Sequence, residues 1–219
     1  MGKGVAITDL VARKTTGRPL PGDRTASEPT DVLMLVAEDA LDDTVVPRLI
    51  AAGADLSRVH FQGSVKYHAN IDTRLERMLT LDTDLSSLEN KLKDNPRVKL
   101  VVIDPLSNYL GERNMNKEQD VRAVLTPMST MADRLGITII VIAHFNKNVA
   151  AAALDKTGGS RALVAVPRAV WGFFRDTEDR QQRLMLRLKL NVAKDEDSGL
   201  EYKIAEAFID IAGEKISAP

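Results

Sequence analysis

The chain contains no cysteine, and that absence removes a disulfide framework, thiolate catalysis and cysteine-ligated zinc together. Histidine is nearly as scarce: His60, His68 and His144 are too few and too scattered to suggest a zinc centre. An excess of either charge is also missing. The formal net charge is -1, with 30 Lys+Arg against 31 Asp+Glu, so bulk composition demands neither nucleic acid nor an anionic membrane, while a local basic patch stays open. No apolar run approaches the roughly 20 residues needed to span a bilayer, and the first residues lack the apolar core of a secretion signal. The expectation is a soluble, cytoplasmic chain with no membrane partner. With 219 residues and 44% hydrophobic content there is material for one substantial core, so a single domain over 1–219 is expected.

What the sequence does have is a set of buried strands that end in polar groups. Val98, Leu100, Val101, Val102 and Ile103, interrupted by Lys99, run into Asp104, Pro105 and a small polar cluster that closes at Gly111. An all-apolar run of this length suits a parallel strand covered on both faces. Ligands in open α/β sheets bind beyond the carboxyl ends of such strands, so Asp104 stands where a catalytic or metal-binding carboxylate belongs; the plainer alternative is an Asp that caps the following turn. Residues 32–37 form a second such strand, ending in Glu38 and Asp39, and residues 137–143 a third, ending in His144, Asn146 and Lys147. Three polar strand ends of a parallel sheet converge on one edge, which favours a site over three separate turns. His144 there can donate to a phosphate or position a water, or can be a bare structural residue.

Elements around these strands follow from periodicity. Ile7, Leu10 and Val11 recur at helical spacing and Gly17 with Pro19 stops them, predicting a helix over 3–16 whose first turn holds Gly2, Lys3 and Gly4. Gly-Lys-Gly is either accidental or the tail of a phosphate-binding loop, since the full GxxxxGK[ST] pattern is not present and Gly4 stands in place of the magnesium-binding hydroxyl. A helix is expected over 41–52 with Pro47 in its first turn or at a kink, a short strand over 59–61 with His60 as a satisfied, partly buried side chain, and a helical piece over 71–81. Ser86 or Ser87 is expected to cap a helix that Asn95-Pro96 ends, and residues 121–135 form a helix with a methionine-rich apolar face kinked at Pro127.

The last third changes character. Residues 148–160 read as a loop, with Ser160 capping a helix over 162–166, and 170–174 as a strand bearing Trp171, the sole tryptophan. Leu184, Leu186, Leu188 and Leu190 alternate with Met185, Arg187, Lys189 and Asn191, predicting an antiparallel strand with one exposed, basic face. Arg187, Lys189 and Lys194 there are either a solvated face or groups that approach phosphate, on a nucleotide or on nucleic acid.

In order, GKG, VLMLVAED, RLIAAGAD, KLVVIDPLSNYLG, ITIIVIAHFNK, GGSRALVAVPRAVWGF and LKLNVAKDEDSGLEYKI resemble the RecA-like P-loop ATPases of the branch that contains the RepA-type hexameric plasmid replicative helicases and related phage and plasmid AAA-family ATPase domains. The resemblance covers nearly the whole chain. It implies an α/β, RecA-like P-loop NTPase fold: a mostly parallel sheet flanked by helices, antiparallel strands at the C-terminal end, and the first, P-loop strand missing, as in an N-terminally incomplete domain. By resemblance, Gly2, Lys3 and Gly4 match the end of the phosphate loop, Glu38 the carboxylate that activates the attacking water, and Asp104 the Walker B acid that holds Mg2+. His144 looks like the phosphate-sensing group, Arg168 is similar to the arginine given to a neighbouring subunit's nucleotide, and Lys189 stands beside it. The implied function is ATP binding and Mg2+-dependent hydrolysis in a ring-forming, hexameric homo-oligomer serving plasmid or phage DNA replication, with single-stranded DNA as a partner. The alternative is a truncated, catalytically inactive domain acting as a structural or regulatory interaction module.

Overall fold

Strand β5 (Val98–Asp104) is flanked on both sides by parallel neighbours, which explains its nearly unbroken apolar sequence. It pairs with β1 (Asp31–Val36) on one side and β6 (Thr138–Val141) on the other; with the short β2 (Val59–Phe61), the sheet order is β2-β1-β5-β6. The computed structural model describes residues 2–68, 74–144, 161–192, 199–211 and 214–218. These form two compact units, one comprising Met1–Thr30, Asp39–Val59 and Pro167–Pro219, the other Asp31–Glu38 and His60–Val166.

The second unit is built around the parallel sheet. Leu33 and Leu35 of β1 and Val101 and Ile103 of β5 alternate onto one face, where they meet Leu88 and Leu92 of α3 (Leu85–Asp94) and Val121, Val124, Leu125, Met128 and Met131 of α4 (Glu118–Leu135). The methionine stripe is therefore core, and α4 runs through Pro127 without ending. Short α5 (Ala162–Ala165) adds Ala162 to the same cluster.

Two local expectations are corrected here. The helical piece over 71–81 is not formed at 74–78: Arg74–Met78 is a strand, β4, antiparallel to β3 (Ser64–His68), with Lys66 opposite Glu76 and Val65 packed on the core. Cross-strand pairing of opposite charges and burial of one apolar anchor outweigh a weak helical propensity. Helix α3 begins at Leu85 behind Asp84, before Ser86 and Ser87, which lie inside its first turn. Asp84 accepts two 2.7 Å hydrogen bonds from the Arg77 guanidinium and one of 2.8 Å from the Thr80 N–H, so its carboxylate ties the β4–α3 corner together.

In the first unit, α1 (Lys3–Thr16) is bounded at both ends by left-handed glycines, Gly2 at φ 83 and Gly17 at φ 75, and buries Val11 and Ala12. A π-turn at Leu41–Val45 leads into α2 (Val46–Ala51), where Pro47 occupies the first turn, a position that lacks an N–H acceptor in any helix. Strands β7 (Ala169–Arg175), β8 (Gln182–Leu190) and β9 (Gly199–Lys203) make an antiparallel sheet, and β10 (Ala207–Ile211) pairs with β11 (Glu214–Ala218) in a separate ribbon.

The expected exposed, basic face of β8 is also corrected. Both faces are half-buried, Leu186 is the exposed position at 39%, and Arg187 is covered in part. Arg187 stands opposite Trp171 and Arg183 opposite Tyr202, so each of these basic residues has an aromatic neighbour across the ladder. Asn146, Lys147, the 157–160 segment with Ser160, and Lys194 lie outside the described residues.

Candidate strand-end site

Two of the three polar strand ends, Glu38 and His144, meet at the edge where β5 ends in Asp104. Asp104, the last residue of β5, is in register with Val36, and its carbonyl accepts the Ala37 N–H at 3.1 Å, which fixes the exit of β1 one residue before Glu38. On the other side the Ile142 N–H donates to Ile103 at 2.9 Å and the Leu106 N–H to Ile142 at 2.8 Å, pinning the chain that leads to His144. Since β5 lies between β1 and β6, those two strands are about 10 Å apart at ordinary strand spacing. His144 Nε2 and Glu38 Oε2 nevertheless approach to 3.5 Å. The two side chains thus close over the end of β5, the strand that carries Asp104.

The pair is more than half exposed, at 56% for His144 and 54% for Glu38. Such a contact contributes little to folding. His144→Ala is expected to change the unfolding free energy by less than about 1 kcal/mol, checked by thermal melts near pH 6 and pH 8. A loss several times larger would make His144 a structural residue.

Hard carboxylate oxygens suit Mg2+, which keeps several waters and takes one or two protein carboxylates beside substrate phosphates. Asp104, half-buried at the strand end, fits that donor chemistry; among the described residues no cluster of three or more His, Cys, Asp or Glu side chains gathers to hold a metal. Tyr109, five residues after Asp104, is fully buried, and its hydroxyl has no hydrogen-bond partner among the described residues. Burial, and then the charge of Asp104, push its phenol up to about 12.

The remaining candidates belong to the other unit. Gly2, Lys3 and Gly4 open α1, with the Ala6 N–H donating to Gly2 at 3.1 Å. A Cβ on Gly2 would lie 2.7 Å from Ile204 Cδ1 and 3.3 Å from the Tyr202 hydroxyl, so the left-handed turn needs glycine on steric as well as dihedral grounds. Arg48 Nη1 lies 3.9 Å from the place a Cβ on Gly4 would take, and it holds Asp39 at 2.8 Å. This second cation beside the first turn of α1 had no signal in the sequence beyond its position on α2. Arg168 and Lys189 are brought together: the Asn191 N–H donates to the Arg168 carbonyl at 2.9 Å, and Lys189 Nζ to the Pro167 carbonyl at 2.8 Å.

Comparison with known proteins agrees with this architecture. A family model described as an AAA domain matches residues 1–150. Among solved structures the chain is similar to the RadB recombinase, with a TM-score of 0.54 over 93% of this chain and 84% of that one, at 14% identity. No curated protein sequence matches it significantly. The fold is the RecA-like P-loop architecture, with a parallel core sheet, antiparallel C-terminal strands, and no strand before α1 among the described residues.

Proposed function

The chain belongs to the AAA domain family, and from that premise we propose that it is a RecA-like module that serves as a structural or regulatory interaction domain without turning over ATP by itself. The first turn of α1 carries this reading. Lys3 is followed by Gly4, so the residue next to the lysine brings no side-chain oxygen to a metal, and Gly2 is crowded by Ile204 and Tyr202. Lys189 supports it further, because its ammonium group already donates to a backbone carbonyl. Phosphoryl transfer depends on cations placed around the developing charge, and a lysine bound to a carbonyl must first give up that bond.

The approach of Glu38 to His144 at the edge where β5 ends in Asp104 favours a second reading: ATP binding and Mg2+-dependent hydrolysis in a RepA-type, hexameric ring linked to plasmid or phage replication. In it Asp104 would hold Mg2+, Glu38 would orient the attacking water, and His144 would sense the phosphate from the next strand end. Gly2, Lys3 and Gly4 would cradle the phosphates, while Arg168 with Lys189 would serve a neighbouring subunit's nucleotide. Bound Mg2+ supplies charge neutralisation between the phosphates. Single-stranded DNA would be the partner of such a ring, and a cytoplasmic location suits both readings.

Titration calorimetry with ATP and MgCl2, alongside a phosphate-release assay, separates the two. The expected result is an affinity no tighter than roughly millimolar and no release above background. Micromolar binding with turnover, both lost in Asp104→Asn while the far-UV spectrum is unchanged, would replace the first reading by the second.

A further inference from the structure

We propose that the outer edge of β6 is a self-association surface, on which a second copy of this chain docks its own β6 antiparallel about a two-fold axis at Ile140. β6 closes the described sheet: β5 lies on one side of it and, among the described residues, no strand lies on the other. Its sequence is that of an interior strand. Residues 137–143, ITIIVIA, carry no charge and no proline, the devices that ordinarily blunt an open edge. Its burial is that of an edge: Thr138 is exposed and Ile139, Ile140 and Val141 are half-buried, while Leu100, Val101, Val102 and Ile103 of β5 are buried. An all-apolar strand left half-buried gains from a further neighbour.

The backbone fixes what that neighbour meets. The Ile142 N–H donates to Ile103 and the Ile142 carbonyl accepts the Leu106 N–H, so even-numbered residues turn their peptide groups to β5 and those of Ile139 and Val141 face outward. Antiparallel self-pairing sets outward residues against outward residues, and a two-fold axis at Ile140 places Ile139 opposite Val141 in both halves. Each such pair exchanges both N–H···O bonds and leaves the β5 ladder intact. Side chains match too, because the strand reads nearly the same in both directions: Thr138 falls against Ile142 and Ile137 against Ala143, while Ile140 meets its own counterpart. Charge favours the same occupant. The axis brings His144 of one copy towards Gly136 of the other, the left-handed cap where the last carbonyls of α4 end, and an imidazolium is favoured at a helix C-terminus. A parallel second copy would leave a fresh edge and no closed assembly.

This surface gives the interaction-module reading a partner and rests on that reading only for its purpose; the pairing itself is measured without nucleotide. Since the chain has no cysteine, single cysteines report the register. Ile140 and its counterpart form a non-hydrogen-bonded pair with Cα atoms about 4.5 Å apart, within disulfide reach, whereas Thr138 would lie roughly 14 Å from its own counterpart. Sedimentation equilibrium of the full chain between about 1 and 100 μM is expected to give a mass rising to twice the 24.0 kDa of one chain. Ile140→Cys should cross-link under mild oxidation about tenfold faster than Thr138→Cys, or more. Val141→Pro removes an outward N–H and keeps the β5 ladder, so it should weaken the dimer about tenfold or more with an unchanged far-UV spectrum. A monomer or an open-ended aggregate across that range, equal cross-linking at the two positions, or an undiminished dimer in Val141→Pro would overturn the proposal. Should Val141→Pro not fold, Thr138→Lys puts a charge on the same edge at an exposed position and takes its place. A dimer that turns over ATP would support this surface and overturn only the inactive reading; a monomer without turnover would do the reverse.

Discussion

Gly17→Ala is expected to lower the unfolding free energy by about 2–4 kcal/mol, the sum of a left-handed dihedral cost and an overpacking cost. At φ 75 an alanine is strained whatever surrounds it, and its methyl group would press into the backbone carbonyl of Ser27, with Pro29 Cδ 3.2 Å away. That carbonyl cannot yield cheaply. The Ser27 N–H donates to Gly17 at 3.0 Å and the Thr30 N–H to Lys14 at 2.9 Å, so the returning strap is fixed to the end of α1. Gly22→Ala is the control: φ is 89, yet nothing lies within 4 Å of its Cβ position. It should cost only the dihedral part, about 1 kcal/mol. Urea midpoints of the two variants, at unchanged slope, give the steric share by difference; equal losses would sink the argument.

Asp84→Ala is expected to cost about 2–3 kcal/mol at neutral pH, since four hydrogen bonds to a charged carboxylate, two from Arg77 and two from Thr80, are lost at once. Burial by itself would raise the Asp84 carboxyl, but the hydrogen bonds from Arg77, the Thr80 N–H and the guanidinium charge together hold it below the usual carboxylate range. A depressed folded-state value contributes stability that is fully present above the unfolded carboxylate pKa of about 3.9 and is lost as pH falls through the lower folded value. The gap between the chain and its variant should therefore hold from pH 7 to about pH 5 and shrink towards pH 3. Arg77 is 41% exposed, which keeps the pair itself to a modest share of the loss. A gap that does not change with pH would assign the effect to packing at the start of α3 instead.

Asp84 shows why some of this chain was not legible in advance. Its neighbours Ser86 and Ser87 carry the ordinary helix-start signal, and the deciding partner, Arg77, sits on a strand that pattern reading takes for helix. Arg48 was missed for a related reason. A single arginine on a short helix acquires meaning from what folds against it, Asp39 and Gly4. The basic face of β8 failed because alternation reveals which residues share a face, while exposure depends on Trp171 and Tyr202 across the ladder.

Sequence by itself determined the interior of the parallel sheet and the limits of α1. The apolar runs that end at Glu38 and Asp104 are strands buried on both faces, β1 and β5, whereas the run before His144 gives β6, half-buried at the edge of the described sheet; Gly17 with Pro19 stops the helical spacing of α1. Tertiary structure alone decided that β5 lies between β1 and β6, and so that Glu38 and His144, 106 residues apart, meet at 3.5 Å from the two strands that flank β5. Local periodicity is a property of neighbours along the chain, whereas strand order is chosen by the packing of α3 and α4 on one face of the whole sheet.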